Sequence, residues 1–129
     1  MTGSIVSSLE KLYSNLSKGN LEASAQDLPD TMTFNVAGKS LLAGKYSKET
    51  FFKGYVTKLH ELSGGTLKVE VHDVLASERH ATVLLTYSLS RKEQSAQLRS
   101  VHVWRIENAK LIAGYEYPRD MYLYDSVWS

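Results

Sequence analysis

The feature that most constrains the fold is the alternation of apolar and polar residues between Leu67 and Tyr117. Leu67, Val69 and Val71 alternate with Lys68, Glu70 and His72; Ala81, Val83, Leu85, Tyr87 and Leu89 alternate with Thr82, Thr86, Ser88 and Ser90. Ser100-Val101-His102-Val103-Trp104-Arg105-Ile106 and Leu111-Ile112-Ala113-Gly114-Tyr115-Glu116-Tyr117 continue the series as two long strands. A period of two is the signature of strands with two distinct faces. The intervening Ser77–His80, Arg91–Glu93 and Asn108–Ala109 are short turns, so consecutive strands are antiparallel neighbours. This predicts a four-stranded meander in the second half of the chain.

The first half reads differently. Ile5, Leu9, Leu12, Tyr13 and Leu16 recur at helical spacing after Ser4 as N-cap, predicting a helix over Ser4–Lys18. Gly19 ends it, and Asn20 caps a second helix over Leu21–Asp27, stopped by Pro29-Asp30. Met32, Phe34 and Val36 alternate with Thr33 and Asn35 as a short strand, and Ala37–Tyr46, with Gly38 and Gly44, reads as a loop. Ser47 caps a third helix, Lys48–Ser63, carrying Phe51, Phe52, Tyr55, Val56, Leu59 and Leu62 and closed by Gly64-Gly65. Helices first and strands later is an α+β pattern, in which the helices must cover one face of the sheet. A chain of 129 residues is expected to form a single domain, 1–129, that buries roughly two-thirds of its unfolded surface.

Composition excludes several classes of function. Fifteen basic against fourteen acidic side chains, scattered, give no electrostatic case for nucleic acid or an anionic membrane. The lack of cysteine removes disulfides, thiolate catalysis and thiolate metal sites, and fits a cytoplasmic location. The N-terminus lacks the basic and apolar regions of a signal peptide, and no stretch approaches a membrane-spanning length. No two histidines share metal-ligand spacing, so no metal site is expected, and no glycine-rich phosphate loop is present. His60 falls late on a helix, His72 on the polar side of a strand and His80 in a turn. The tail, Met121-Tyr122-Leu123-Tyr124-Asp125-Ser126-Val127-Trp128, is too apolar to trail in solvent and is expected to dock, with Trp128 at the core or at a pocket mouth.

Spread over nearly the whole chain are Gly19-Asn20-Leu21-Glu22-Ala23, Asp30, Gly44 ahead of Phe51/Phe52, Arg105-Ile106-Glu107-Asn108-Ala109-Lys110-Leu111, Tyr115-Glu116-Tyr117 and Val127-Trp128-Ser129. Their order and spacing resemble the nuclear transport factor 2-like superfamily, which includes SnoaL-like polyketide cyclases, ketosteroid isomerase and limonene-epoxide hydrolase. Asn108-Ala109 stands where such chains usually have Asp-Gly. The resemblance implies a cystatin-like α+β barrel: a curved, mostly antiparallel sheet wrapped around three helices, forming a cone-shaped pocket. It also implies a homodimer through the outer face of the sheet, where Val101, Val103 and Ile112 lie opposite Trp104 and Ile106.

The same resemblance places His102 at an acid-base position of the cyclases and at the isomerases' substrate-bonding acid. It places Glu116 at a pocket carboxylate and Tyr55 at a supporting tyrosine. It also exposes departures. Val36 stands where the isomerases carry their proton-shuttling carboxylate, and Leu12, with Tyr13 beside it, where they carry the oxyanion tyrosine. Tyr87 and Leu89 stand where the epoxide hydrolases carry Arg and Asp. A slip of one residue brings Asn35 inward in place of Val36. The reading is a small-molecule protein for a largely apolar carbonyl compound, working without a cofactor. If it is an enzyme, His102 and Glu116 are its catalytic acid-base pair, as in an isomerase, cyclase or lyase. Asn35, Tyr55, Phe34, Tyr87 and Trp104 then line the ligand site. The alternative is a non-catalytic binding or interaction module, its cone filled by side chains and its outer sheet face given to another protein. One geometric condition stands between these readings. A strict two-residue turn at Asn108-Ala109 puts His102 and Glu116 on opposite faces, and a bulged three-residue loop puts them on one.

Overall fold

The computed structural model describes residues 2–19 and 27–129. Helix α1 (Thr2–Lys18) starts two residues before the expected cap, so Ser4 lies inside its first turn. Its buried stripe is Ile5, Leu9, Leu12, Tyr13 and Leu16. The expected helix over Leu21–Asp27 falls, but for Asp27, outside the described residues. Strand β1 (Thr33–Val36) alternates as expected, with Phe34 and Val36 buried. The expected loop over Ala37–Tyr46 is corrected: β2 (Gly44–Ser47) pairs antiparallel with β1, Phe34 opposite Tyr46. Tyr46 is the one buried residue of β2, so too few apolar positions mark it as a strand.

Ser47 does cap a helix. Its side chain accepts from Thr50 N while the Thr50 hydroxyl accepts from Ser47 N, a reciprocal pair that satisfies two otherwise orphaned donors. The helical stretch that follows changes character along its length: α2 (Lys48–Thr50), a π-helical segment (Phe51–Val56), then α3 (Thr57–Leu62). Widened turns of this kind are rare and cluster at functional sites. Here the segment buries Phe51, Tyr55 and Val56 against the sheet.

Four long strands follow: β3 (Lys68–Ala76), β4 (His80–Arg91), β5 (Gln94–Glu107) and β6 (Lys110–Pro118). His80 opens β4 and so belongs to the strand rather than to the expected turn. Together with β1 and β2 the strands form a six-stranded sheet in the order β2-β1-β6-β5-β4-β3, antiparallel except where β1 runs parallel to β6. Both tight turns of the β4–β5–β6 meander are two-residue turns with positive φ at both positions, Lys92-Glu93 and Asn108-Ala109, the form whose twist matches a hairpin. Two bulges interrupt the register. His72 is the extra residue between β3 and β4, and Ile112 the extra residue between β5 and β6.

The tail docks. Helix α4 (Met121–Val127) is capped by Asp120, whose carboxylate accepts from Leu123 N at 3.1 Å. Tyr124 and Trp128 are fully buried, and Leu41 N donates to Trp128 O at 3.1 Å. The Arg91 guanidinium clamps the end of the chain, donating to Val127 O at 3.1 Å, Ser129 O at 2.5 Å and Leu62 O at 3.3 Å. On the other side Gly38, at φ +96°, lies so near α4 that a Cβ there would stand 2.5 Å from Asp125 Oδ1. Among the described residues no helix is long and apolar enough to cross a membrane.

Candidate functional site

The inward face of β5 carries Leu98, Ser100, His102, Trp104 and Ile106, and that of β6 carries Leu111, Glu116 and the close-packed Gly114. Gly114 admits no side chain, since a Cβ would stand 2.6 Å from Phe34 and 2.9 Å from Trp104. The Asn108-Ala109 turn has the strict two-residue form that should separate His102 from Glu116. The bulge at Ile112, four residues further on, reverses that outcome: Arg105 pairs with Ala113, and His102 pairs with Glu116. The two side chains therefore share the inner face, though through a strand bulge and not a longer loop.

They meet directly. His102 Nε2 lies 2.8 Å from Glu116 Oε2, with His102 1% and Glu116 2% exposed. Four tyrosines surround the pair. Tyr87 hydroxyl donates to Glu116 Oε2 at 2.7 Å and lies 2.9 Å from His102 Nε2. Tyr124, from α4, donates to Glu116 Oε1 at 2.6 Å, and Tyr55, from the π-helical segment, at 3.2 Å. Ser100 hydroxyl donates to Oε2 at 2.9 Å. Tyr13, from α1, bonds to His102 Nδ1 and accepts from Trp104 Nε1 at 3.0 Å. Phe34 walls the cluster, its ring 5.1 Å from His102 and 5.5 Å from Trp104.

The electrostatics follow from this enclosure. Burial works against the Glu116 charge, but the charge of His102 and hydrogen bonds from His102, Tyr124 and Tyr87 outweigh it and hold the carboxyl down to about 2. Burial, reinforced by the Glu116 charge, pushes the hydroxyls of Tyr13, Tyr55, Tyr87 and Tyr124 well above the ordinary tyrosine value. Tyr55, Tyr87 and Tyr124 are thus fixed as neutral donors around a carboxylate that accepts on both oxygens, while neutral Tyr13 sits at Nδ1 of His102.

The structure gathers His102, Glu116, Tyr55, Tyr87, Phe34 and Trp104 into one cluster. It leaves Asn35 out: Asn35 pairs with Tyr115 on the other face of the sheet, and its amide donates to Gly114 O at 3.2 Å. Val36 keeps the inward position. Three members were not anticipated. Ser100 shares parity with His102 along β5, a signal present in the sequence. Tyr13, and not Leu12, reaches the histidine, and Tyr124 arrives from the tail, which only the folded chain reveals. Among the described residues no group of three or more His, Cys, Asp or Glu side chains is placed to hold a metal ion.

No family model matches the chain, and no curated protein matches it. Solved structures do. Bal32a, from a soil-derived mobile gene cassette, superposes with a TM-score of 0.87 at 18% identity over 95% of each chain. TerC, co-crystallised with polyporic acid, does so at 0.79 and 13% identity over 96% of this chain and 98% of its own. A nuclear transport factor 2-like protein of unknown function from Burkholderia pseudomallei superposes at 0.74 and 16% identity over 95% of each chain. At such identities the likeness is one of fold, and the chain has the nuclear transport factor 2-like fold.

Proposed function

We propose that this protein binds a small, flat, largely apolar carbonyl compound inside the cone and transfers a proton on it with His102. The observation that carries this is the imidazole held between a fixed carboxylate at Nε2 and a hydroxyl at Nδ1. The Tyr13 hydroxyl can donate to a neutral ring or accept from a protonated one, so the site accommodates both charge states of an acid-base catalyst. Glu116 orients the ring and stabilises its cation. With Val36 in the first-strand position, the base falls to His102. Enolising a carbon acid needs a base and a donor to the developing oxyanion, and buried neutral tyrosines supply the donor without a cofactor. Both ring nitrogens are bonded in the closed cluster, so substrate must displace the Tyr13 hydroxyl from Nδ1. TerC, of the same fold, was co-crystallised with the organic compound polyporic acid, which supports this reading. The test is exchange of α-protons into D2O, followed by NMR, for a panel of cyclic ketones and enones. The expected result is catalysed exchange that His102→Ala lowers by about 10²–10⁴. Absence of both binding and exchange across the panel would end the catalytic reading.

One observation favours a second reading, a non-catalytic module. The cluster is closed and internally satisfied, while the outer face of the sheet carries an apolar patch bordered by Asp73, Arg99 and Arg105. Leu84, Val101 and Tyr117 form one row across β4, β5 and β6, and Leu75, Thr82, Val103 and Tyr115 form a second. An apolar patch on the outer face favours cover there as well, and a second copy of the chain is the proposed occupant. Sedimentation at micromolar concentration tests it; a species of 14.5 kDa alone would count against the pairing.

A further inference from the structure

The inner face does not account for a groove of about 640 Å³ on the opposite side of α4. It lies where β5 outruns β6. Strand β6 ends at Pro118 opposite Ser100, one last bond joins Arg119 N to Arg99 O at 2.9 Å, and the chain then turns away into α4. The step so formed has β4 and β5 as its floor and the first turn of α4 as its wall. Arg99 and Arg119 both line it, and among the described residues neither guanidinium makes an ion pair within 4.0 Å. Beside them stand Tyr122 and Leu123, which are 91% and 43% exposed, an unusual concentration of bare apolar surface on a seven-residue helix. Two carboxylates also line the groove. Asp120 is engaged at Leu123 N, and Glu70 sits on β3, beyond Thr86 of β4 as seen from Arg99.

We propose that this groove is a binding site, separate from the cone, for a flat aromatic anion such as an aryl carboxylate or sulfonate. Planar guanidinium groups match such an anion in pairs and are less strongly hydrated than ammonium groups, so a half-enclosed site can use them. Tyr122 and Leu123 supply the apolar surface against which the ring lies. The volume falls in the range of small-molecule sites. The inference does not depend on the chemistry proposed for His102, because none of its residues except Tyr124 touches that cluster.

The probe is 1-anilinonaphthalene-8-sulfonate, titrated by fluorescence against its uncharged analogue N-phenyl-1-naphthylamine. Loss of two charge-assisted hydrogen bonds is expected to weaken the anion at least tenfold in Arg99→Met/Arg119→Met. The uncharged analogue should change less than twofold in that variant. Tyr122→Ser should weaken both probes. All three positions are exposed, so the fold should be untouched, as circular dichroism would verify. Less than tenfold weakening of the anion in the double variant, or no binding of the sulfonate by the parent, would overturn the proposal. Neither result bears on α-proton exchange at His102.

Discussion

Glu116→Gln is the most informative single change, because the structure gives both its size and its pH dependence. The carboxyl is lowered from 4.5 to about 2 in the folded protein. At 1.36 kcal/mol per unit, that is about 3 kcal/mol of stability. The sign follows from the depressed value. The contribution is fully present above 4.5, where the unfolded chain is also ionised, and it is lost as pH falls toward and through 2. Between pH 7 and pH 3 about 2 kcal/mol should disappear. Glutamine has nearly the same shape but no titration, so its stability should lack this component while retaining that of every exposed acid. Urea unfolding followed by tryptophan fluorescence, at pH 7 and pH 3, gives the difference directly. The parent should lose about 2 kcal/mol more than the variant over that interval. Equal losses would refute the reasoning, since they would mean that Glu116 is not held ionised by the His102 and tyrosine contacts.

Three further outcomes are expected. Deletion of Met121–Ser129 should cost several kcal/mol in urea unfolding, because Tyr124 and Trp128 are fully buried and each large side chain contributes about 2–3 kcal/mol; unchanged stability would refute the docking. Within that segment Tyr124→Phe should cost more than its small loss of volume implies, because the hydroxyl donates to a buried carboxylate, whereas Trp128→Phe should cost only packing, since among the described residues Trp128 Nε1 has no hydrogen-bond partner; a Tyr124→Phe midpoint equal to the parent's would contradict this. Gly38→Ala should destabilise by more than about 1 kcal/mol, from both the positive φ and the contact with Asp125, and a neutral result would show that the loop shifts freely away from α4.

The meander was legible because period-two alternation runs through most of each strand, broken in β3 at His72 and in β6 at Ile112, and the first and third helices were legible from their apolar spacing. The gaps have particular causes. Strand β2 buries only Tyr46 and is flanked by glycine, so nothing in its composition separates it from a loop. The pairing of His102 with Glu116 was readable only as a fork between two turn geometries. The turn adopted the unfavourable alternative, and a bulge at Ile112, which no residue type announces, corrected the parity. Tyr13 and Tyr124 join the site from elements far from it in sequence, and tertiary packing alone brings them there. Asn35 stayed out because the one-residue slip that would turn it inward would bury its polar side chain and expose Phe34 and Val36.

The π-helical segment gives the helix a length code. Tyr55 reaches Glu116 from a stretch wound more loosely than the α-helix on either side, so its direction depends on how many residues fill that stretch as well as on which they are. Removing one residue between Phe51 and Tyr55 would let the ordinary winding close up, leaving the flanking turns nearly in place while re-aiming the residues inside the stretch. Tyr55 would then swing off the carboxylate while composition stayed almost unchanged. For this helix the mutations that retune the cluster are insertions and deletions, a route to altered chemistry that a scan of substitutions would never sample.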